Sequence, residues 1–143
     1  KQWLERLNGH KIIIRGNHDG KHNGVNTIID CIHATFANQR ICMVHKPTHA
    51  NPEFPINFVG HVHGAWRIRY FNEYYKSIEN IMINKTELTS DRQDLTQFLD
   101  LNYKHKDSDS VILNVGCDVQ KNYQPITIDE AISQVIKFKK NIK

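Results

Sequence analysis

The stretch Lys11 to Gly20, KIIIRGNHDG, decides how this chain is read. Three isoleucines, brief and β-branched, suit a short buried strand, and Gly16 ends it. An amide, an imidazole and a carboxylate then stand side by side at Asn17, His18 and Asp19. Ordinary turn chemistry accounts for Asn, Asp and Gly in such a place. A metal site accounts for them too. The Asn17 amide oxygen is a neutral ligand, and His18 beside it stays free to carry a proton. Asp19 can accept the other ring N–H of His18 and hold its tautomer.

The same shape recurs further along. RICMVHKP (Arg40 to Pro47) is apolar from Ile41 to Val44 and then presents His45. INFVGHVHG (Ile56 to Gly64) ends in His61 and His63 between two glycines. SVILNVGCD (Ser110 to Asp118) ends in Asn114, Gly116 and Asp118. Four short apolar strands each run into a polar tip, and the first three tips carry histidine. Ligands in open α/β sheets collect beyond the carboxyl ends of strands. If these strands lie side by side and run the same way, Asn17, His18, Asp19, His45, His61 and His63 share one pocket.

A single histidine is more often a surface or satisfied core residue than a ligand, and His10, His22, His33 and His105 take that reading. His61 and His63 are two apart, so an extended backbone would project both rings the same way. Gly60 and Gly64 would let that backbone approach an ion. His45 offers a third imidazole nitrogen, and neutral imidazoles suit Zn, Mn or Fe. His49 would rival it only if HKPTH were helical, which Pro47 opposes.

Around these tips the chain reads as mixed α/β. TIDEAISQVIKFKK carries a capping box at Thr127 and Glu130, with Ala131, Ile132, Val135 and Ile136 at helical spacing. SDRQDLTQFLD carries another at Ser90 and Gln93, ahead of Leu95, Phe98 and Leu99. Trp3, Leu4 and Leu7 suggest a helix stopped at Asn8-Gly9. WRIRYFNEYY alternates as a strand does, and KHKDSDS reads as a loop.

With 143 residues the chain reads as one domain, and no apolar run approaches the roughly 20 residues of a membrane helix. The three cysteines, Cys31, Cys42 and Cys117, form no CxxC pair and read as small buried hydrophobes of a cytosolic, reducing compartment. The net charge of +4 gathers in the tail KFKKNIK, which suits a solvated helix end and only weakly suggests nucleic-acid binding.

GNHD, then a histidine after an apolar run, then GHVHG, in this order, resembles the calcineurin-like metallophosphoesterase superfamily. The likeness is greatest to its small bacterial and phage phosphatase-like members. It covers most of Leu4 to Tyr70 and again Val111 to Ile132, where RLNGHKIIIRGNHD leads into the site and LNVGCDVQKNYQPITIDEA closes the domain. The resemblance implies a β-sandwich flanked by helices. It implies that Asn17, His45 and His61 bind one metal and that His63 binds a second. It makes His18 the catalytic histidine, which contacts phosphate and protonates the departing oxygen, and it makes Asp19 its support. The implied cofactors are two divalent ions. Mixed imidazole, amide and carboxylate ligands favour Mn, Fe or Zn over Mg. The implied reaction is hydrolysis of phosphate mono- or diesters, nucleotides and nucleic acid included, by metal-activated water.

One departure stands out. The family also uses Asp-x-His and Gly-Asp motifs upstream of GNHD, for the second metal and for the bridging aspartate. Sixteen residues precede Asn17, and their only acid is Glu5. The chain is therefore expected to be the C-terminal part of such a domain, lacking the first strands and metal motifs. A non-catalytic metal- or phosphate-binding remnant is the alternative. Residues 65–109, long for this group, are expected to form an insertion or lid.

Overall fold

The computed structural model describes residues 6–19, 25–84 and 92–141. Among them seven strands form in chain order: β1 (Ile12–Ile14), β2 (Thr27–Ile29), β3 (Cys31–Phe36), β4 (Gln39–Val44), β5 (Ile56–Val59), β6 (Ile68–Tyr70) and β7 (Val111–Asn114). Three α-helices accompany them: α1 (Phe71–Asn84), α2 (Arg92–Asn102) and α3 (Ile128–Lys140). The class is mixed α/β.

Five strands make one mixed sheet in the order β3-β4-β5-β7-β6. Its central three, β4, β5 and β7, are parallel neighbours, and the two outer strands run antiparallel to them. Three of the four apolar runs therefore lie as expected, with their carboxyl ends at one edge. The fourth does not. β1 pairs parallel with β2 in a two-stranded sheet of its own, Ile12 opposite Thr27. Periodicity in residues 25–39 gives no sign of β2 or β3. The turn joining β3 to β4 puts Ala37 and Asn38 at φ +46° and +59°, the left-handed pair that a two-residue hairpin needs.

Strand alternation divides the core between two faces. Cys42, Val44, Val59 and Ile112 point to one, where they meet Phe71, Tyr74, Tyr75 and Ile78 of α1 and Phe98 of α2. Ile41, Ile56, Phe58, Val111 and Leu113 point to the other, against Ala131, Ile132 and Val135 of α3. Helices thus cover both faces, which explains the apolar runs Ile41–Val44 and Val111–Leu113; β5 carries one fully buried amide, Asn57, between Ile56 and Phe58. Phe98 sits 5.5 to 5.8 Å, between ring centroids, from Phe71, Tyr74 and Tyr75, so it joins α2 to α1.

α3 starts on the capping box foreseen for it. Thr127 Oγ1 accepts the Glu130 N–H, and Glu130 returns a carboxylate oxygen to the Thr127 N–H at 2.9 Å. That bond holds the Glu130 carboxyl below its ordinary pKa. Ser90, the cap expected for α2, lies outside the described residues, as do Trp3 and Leu4. Gly9 adopts φ +93°, as a helix stop requires.

WRIRYFNEYY is a strand only as far as Tyr70. From Phe71 it is helix, because Phe71, Tyr74, Tyr75 and Ile78 fall at the 3.6-residue period and all four are buried. Residues 65–109 thus supply the edge strand β6 and both helices of one core face. The cysteines also depart from expectation: Cys42 is buried, but Cys31 and Cys117 are exposed. No helix among the described residues is long and apolar enough to cross a membrane.

Candidate metal centre

The parallel strands deliver two histidines to one place. The backbone carbonyl of His45, just past β4, accepts the N–H groups of Gly60 at 3.1 Å and His61 at 3.0 Å, just past β5. These bonds tie the two tips together. A third tip comes from the other sheet. After β1 the chain turns at Gly16–Asp19, closed by the Asp19 N–H on the Gly16 carbonyl at 3.2 Å and by Asp19 Oδ2, which accepts the Gly16 N–H at 2.7 Å. The turn presents Asn17 and His18.

Asn17 Oδ1 lies 2.8 Å from His45 Nε2 and 3.2 Å from His61 Nδ1, and the two imidazole nitrogens are 3.1 Å apart. Three donor atoms from residues far apart in sequence form a nearly equilateral triangle. Hydrogen bonding among the three satisfies it poorly. The carbonyl oxygen only accepts; if both rings donate to it, two N–H groups face each other, and if one donates, the other has a lone pair aimed into the triangle. A cation satisfies all three lone pairs at once. At a metal–ligand distance of about 2.1 Å, three mutually perpendicular bonds span edges of about 3.0 Å, which is the size of this triangle. Burial, and next the neighbouring His61 ring, push the His45 pKa below its ordinary value.

His18 adjoins the triangle without entering it. Its Nε2 lies 3.1 Å from Asn17 Nδ2, which donates to it, so the amide turns its oxygen toward the two rings and its nitrogen toward His18. Asp19 Oδ2 accepts the Gly16 N–H. Asp19 therefore shapes the turn that carries both neighbours.

His63 goes elsewhere. β5 stops at Val59, and the His61–Ala65 backbone is a turn followed by a short 3₁₀ segment, with His63 itself at φ +45°. The extended His-x-His geometry does not form, so the two rings take different partners. His63 Nδ1 meets Asp118 Oδ2 at 3.0 Å. The Asp118 carboxylate can accept a proton from that ring nitrogen. Asp118 and Asn114 were visible in sequence only as the polar tip of the fourth strand. Asn114, fully buried, donates to the carbonyls of His63 at 2.6 Å and Trp66 at 3.0 Å and accepts the Gly116 N–H at 2.9 Å. It therefore holds the His63 turn and the Asp118 loop together.

His49 lies in a 3₁₀ turn, Pro47–His49, where Pro47 takes the first position, the one helical place that tolerates it. A cavity of about 180 Å³ opens beside His61, lined by Lys46, Thr48, Tyr74 and Asp94 among others. Lys46 Nζ meets Asp94 Oδ2 in it at 2.6 Å. Thr48 Oγ1 on its wall is buried without a hydrogen-bond partner. A larger groove of about 550 Å³ along α3 contains none of the six candidate residues.

Sequence reasoning missed a separate cluster. Cys31, His33 and Cys42 bring their ligand atoms within 4.8 Å of one another and could hold a metal ion. His33 stacks on Phe54 with 4.4 Å between centroids. Burial pushes the Cys42 thiol up to about 12, with the Cys31 thiol adding to the rise.

Comparison with protein-family models, with curated proteins and with solved structures finds no match for this chain.

Proposed function

We propose that the chain belongs to a metallophosphoesterase domain and serves metal-dependent hydrolysis of phosphate mono- or diesters. The observation that carries the reading is the triangle of Asn17 Oδ1, His45 Nε2 and His61 Nδ1, with edges of 2.8 to 3.2 Å. Its donor set, one amide oxygen and two imidazoles, fits Mn, Fe or Zn. A bound divalent ion would supply polarisation of a phosphoryl oxygen and acidification of water. On this reading His63, which contacts Asp118, would hold the second ion of a dinuclear centre.

The remaining roles belong to the chain itself. His18, exposed beside the triangle, is placed to meet a phosphate and to pass a proton to the leaving oxygen. The Asn17 amide orients the His18 ring through Nδ2. Asp19 holds the turn on which both sit.

The alternative reading is a metal- or phosphate-binding domain without turnover. One experiment decides between them: Mn²⁺ titration calorimetry with chromogenic phosphate mono- and diester assays, on the parent chain and on His61→Ala. Binding and hydrolysis that both vanish in His61→Ala support the enzyme. Binding without hydrolysis supports the alternative. A parent chain that takes up no Mn²⁺ overturns both.

A further inference from the structure

We propose that Cys31, His33 and Cys42 form a second cation site, chemically distinct from the triangle and built for a thiophilic ion of the Zn²⁺ or Cu⁺ class. The register of the β3–β4 hairpin creates it. Cys31 and His33 are two apart on β3 and so share a face. His33 pairs directly with Cys42, whereas Cys31 pairs with Val44, two residues further along β4. The three side chains thus occupy three corners of one cross-strand quadrilateral.

The distances suit an ion. The two sulfurs stand 4.0 Å apart, and all three ligand atoms lie within 4.8 Å of one another. A tetrahedral ion with metal–sulfur bonds of about 2.3 Å and a metal–nitrogen bond of about 2.0–2.1 Å needs edges of about 3.8 Å between sulfurs and about 3.6 Å from sulfur to nitrogen. Small side-chain rotations close that gap. A disulfide fits less well. Diagonal positions on neighbouring antiparallel strands lie roughly 7–8 Å apart at Cα, beyond the roughly 4.4–6.8 Å of unstrained disulfides.

The donor set decides the metal class. Two thiolates and one imidazole select Zn²⁺ or Cu⁺ and reject Mn²⁺, which the amide-containing triangle accepts. Cys42 forms the buried floor, while Cys31 and His33 are exposed, so a fourth coordination position faces solvent. Phe54, stacked on His33, limits the motion of the imidazole. β3 is an edge strand, so a bound ion cross-links it to β4.

The test is Co²⁺ titration of the reduced chain, read by the near-ultraviolet thiolate-to-cobalt charge-transfer absorption, followed by Zn²⁺ displacement. The band should appear in the parent, in Cys117→Ser and in Asn17→Ala. Cys31→Ser and His33→Ala should weaken Co²⁺ binding at least about tenfold. Both replace exposed residues, and circular dichroism verifies that they fold. Absence of the band in the reduced parent overturns the proposal. So does a band that Cys31→Ser leaves intact or that Cys117→Ser removes.

Discussion

Asn17 Oδ1 lies 2.8 Å from His45 Nε2, across 28 residues of sequence and between strands of two different sheets. Neither strand positions the other through its own ladder. The contact exists because β1 ends in a tight turn and β4 ends beside β5, and the two ends face each other.

Gly16 keeps that meeting open. A Cβ there would stand 3.0 Å from His45 Cε1 and 3.2 Å from His45 Nδ1. Gly16→Ala should therefore displace the His45 ring by a few tenths of an ångström and weaken divalent-ion binding by about 10-fold or more while the fold persists, an effect on the scale of losing an outer-shell partner. Calorimetry with Mn²⁺ checks it, and parent-like affinity would refute the close approach.

His18 touches the Asn17 amide and stays outside the triangle. On the proposed function, His18→Ala should lower turnover by about 10²–10⁴ with metal content near normal. Rates on a chromogenic phosphodiester, paired with metal analysis, measure both. Equal rates for mutant and parent would rule out the proton-transfer role.

Asn114 is fully buried and serves three backbone groups. Asn114→Leu keeps the volume but strands the carbonyls of His63 and Trp66 and the Gly116 N–H, at about 1–3 kcal/mol for each group that stays unsatisfied. We expect a loss of about 2–4 kcal/mol by chemical denaturation. A change of less than about 0.5 kcal/mol, typical of a surface site, would contradict the anchoring role.

Lys46 and Asp94 predict an acid-sensitive increment of stability. The bond from Lys46 Nζ holds the Asp94 carboxyl below its ordinary value of 3.8. A carboxyl depressed in the folded state contributes stability above its unfolded pKa and loses it as pH falls through the folded one. The pair is partly exposed, so it is worth only about 0.2–1 kcal/mol. Asp94→Asn should fall short of the parent by that amount near neutrality, and the difference should shrink below pH 3.8. A difference that does not vary with pH would assign the loss to packing instead.

Legibility varied from element to element for physical reasons. β4, β5 and β7 were readable because burial on both faces writes a short, mainly apolar run, broken in β5 only by the buried Asn57. α3 was readable because its cap and its period agree. α1 was hidden, since Tyr70 and Phe71 are both aromatic and the change from strand to helix falls between them. β3 was hidden because an edge strand with one exposed face alternates polar and apolar residues too weakly, and its turn uses Ala37, a residue with no preference for positive φ. The Cys31, His33 and Cys42 cluster was hidden because it depends on hairpin register, which sequence spacing does not encode.

By itself the sequence determined the strand tips and what they carry: Asn17 and His18 after one apolar run, His45 after another, His61 and His63 after a third. Local chemistry suffices for that, because burial ends where glycine and polar groups begin. Only the tertiary structure decided which tips meet. It brought Asn17, His45 and His61 together from two sheets and turned His63 toward Asp118. It also paired Cys31 and His33 with Cys42. Those outcomes rest on strand order, register and one positive-φ turn, which are properties of packing between distant segments and of no segment alone.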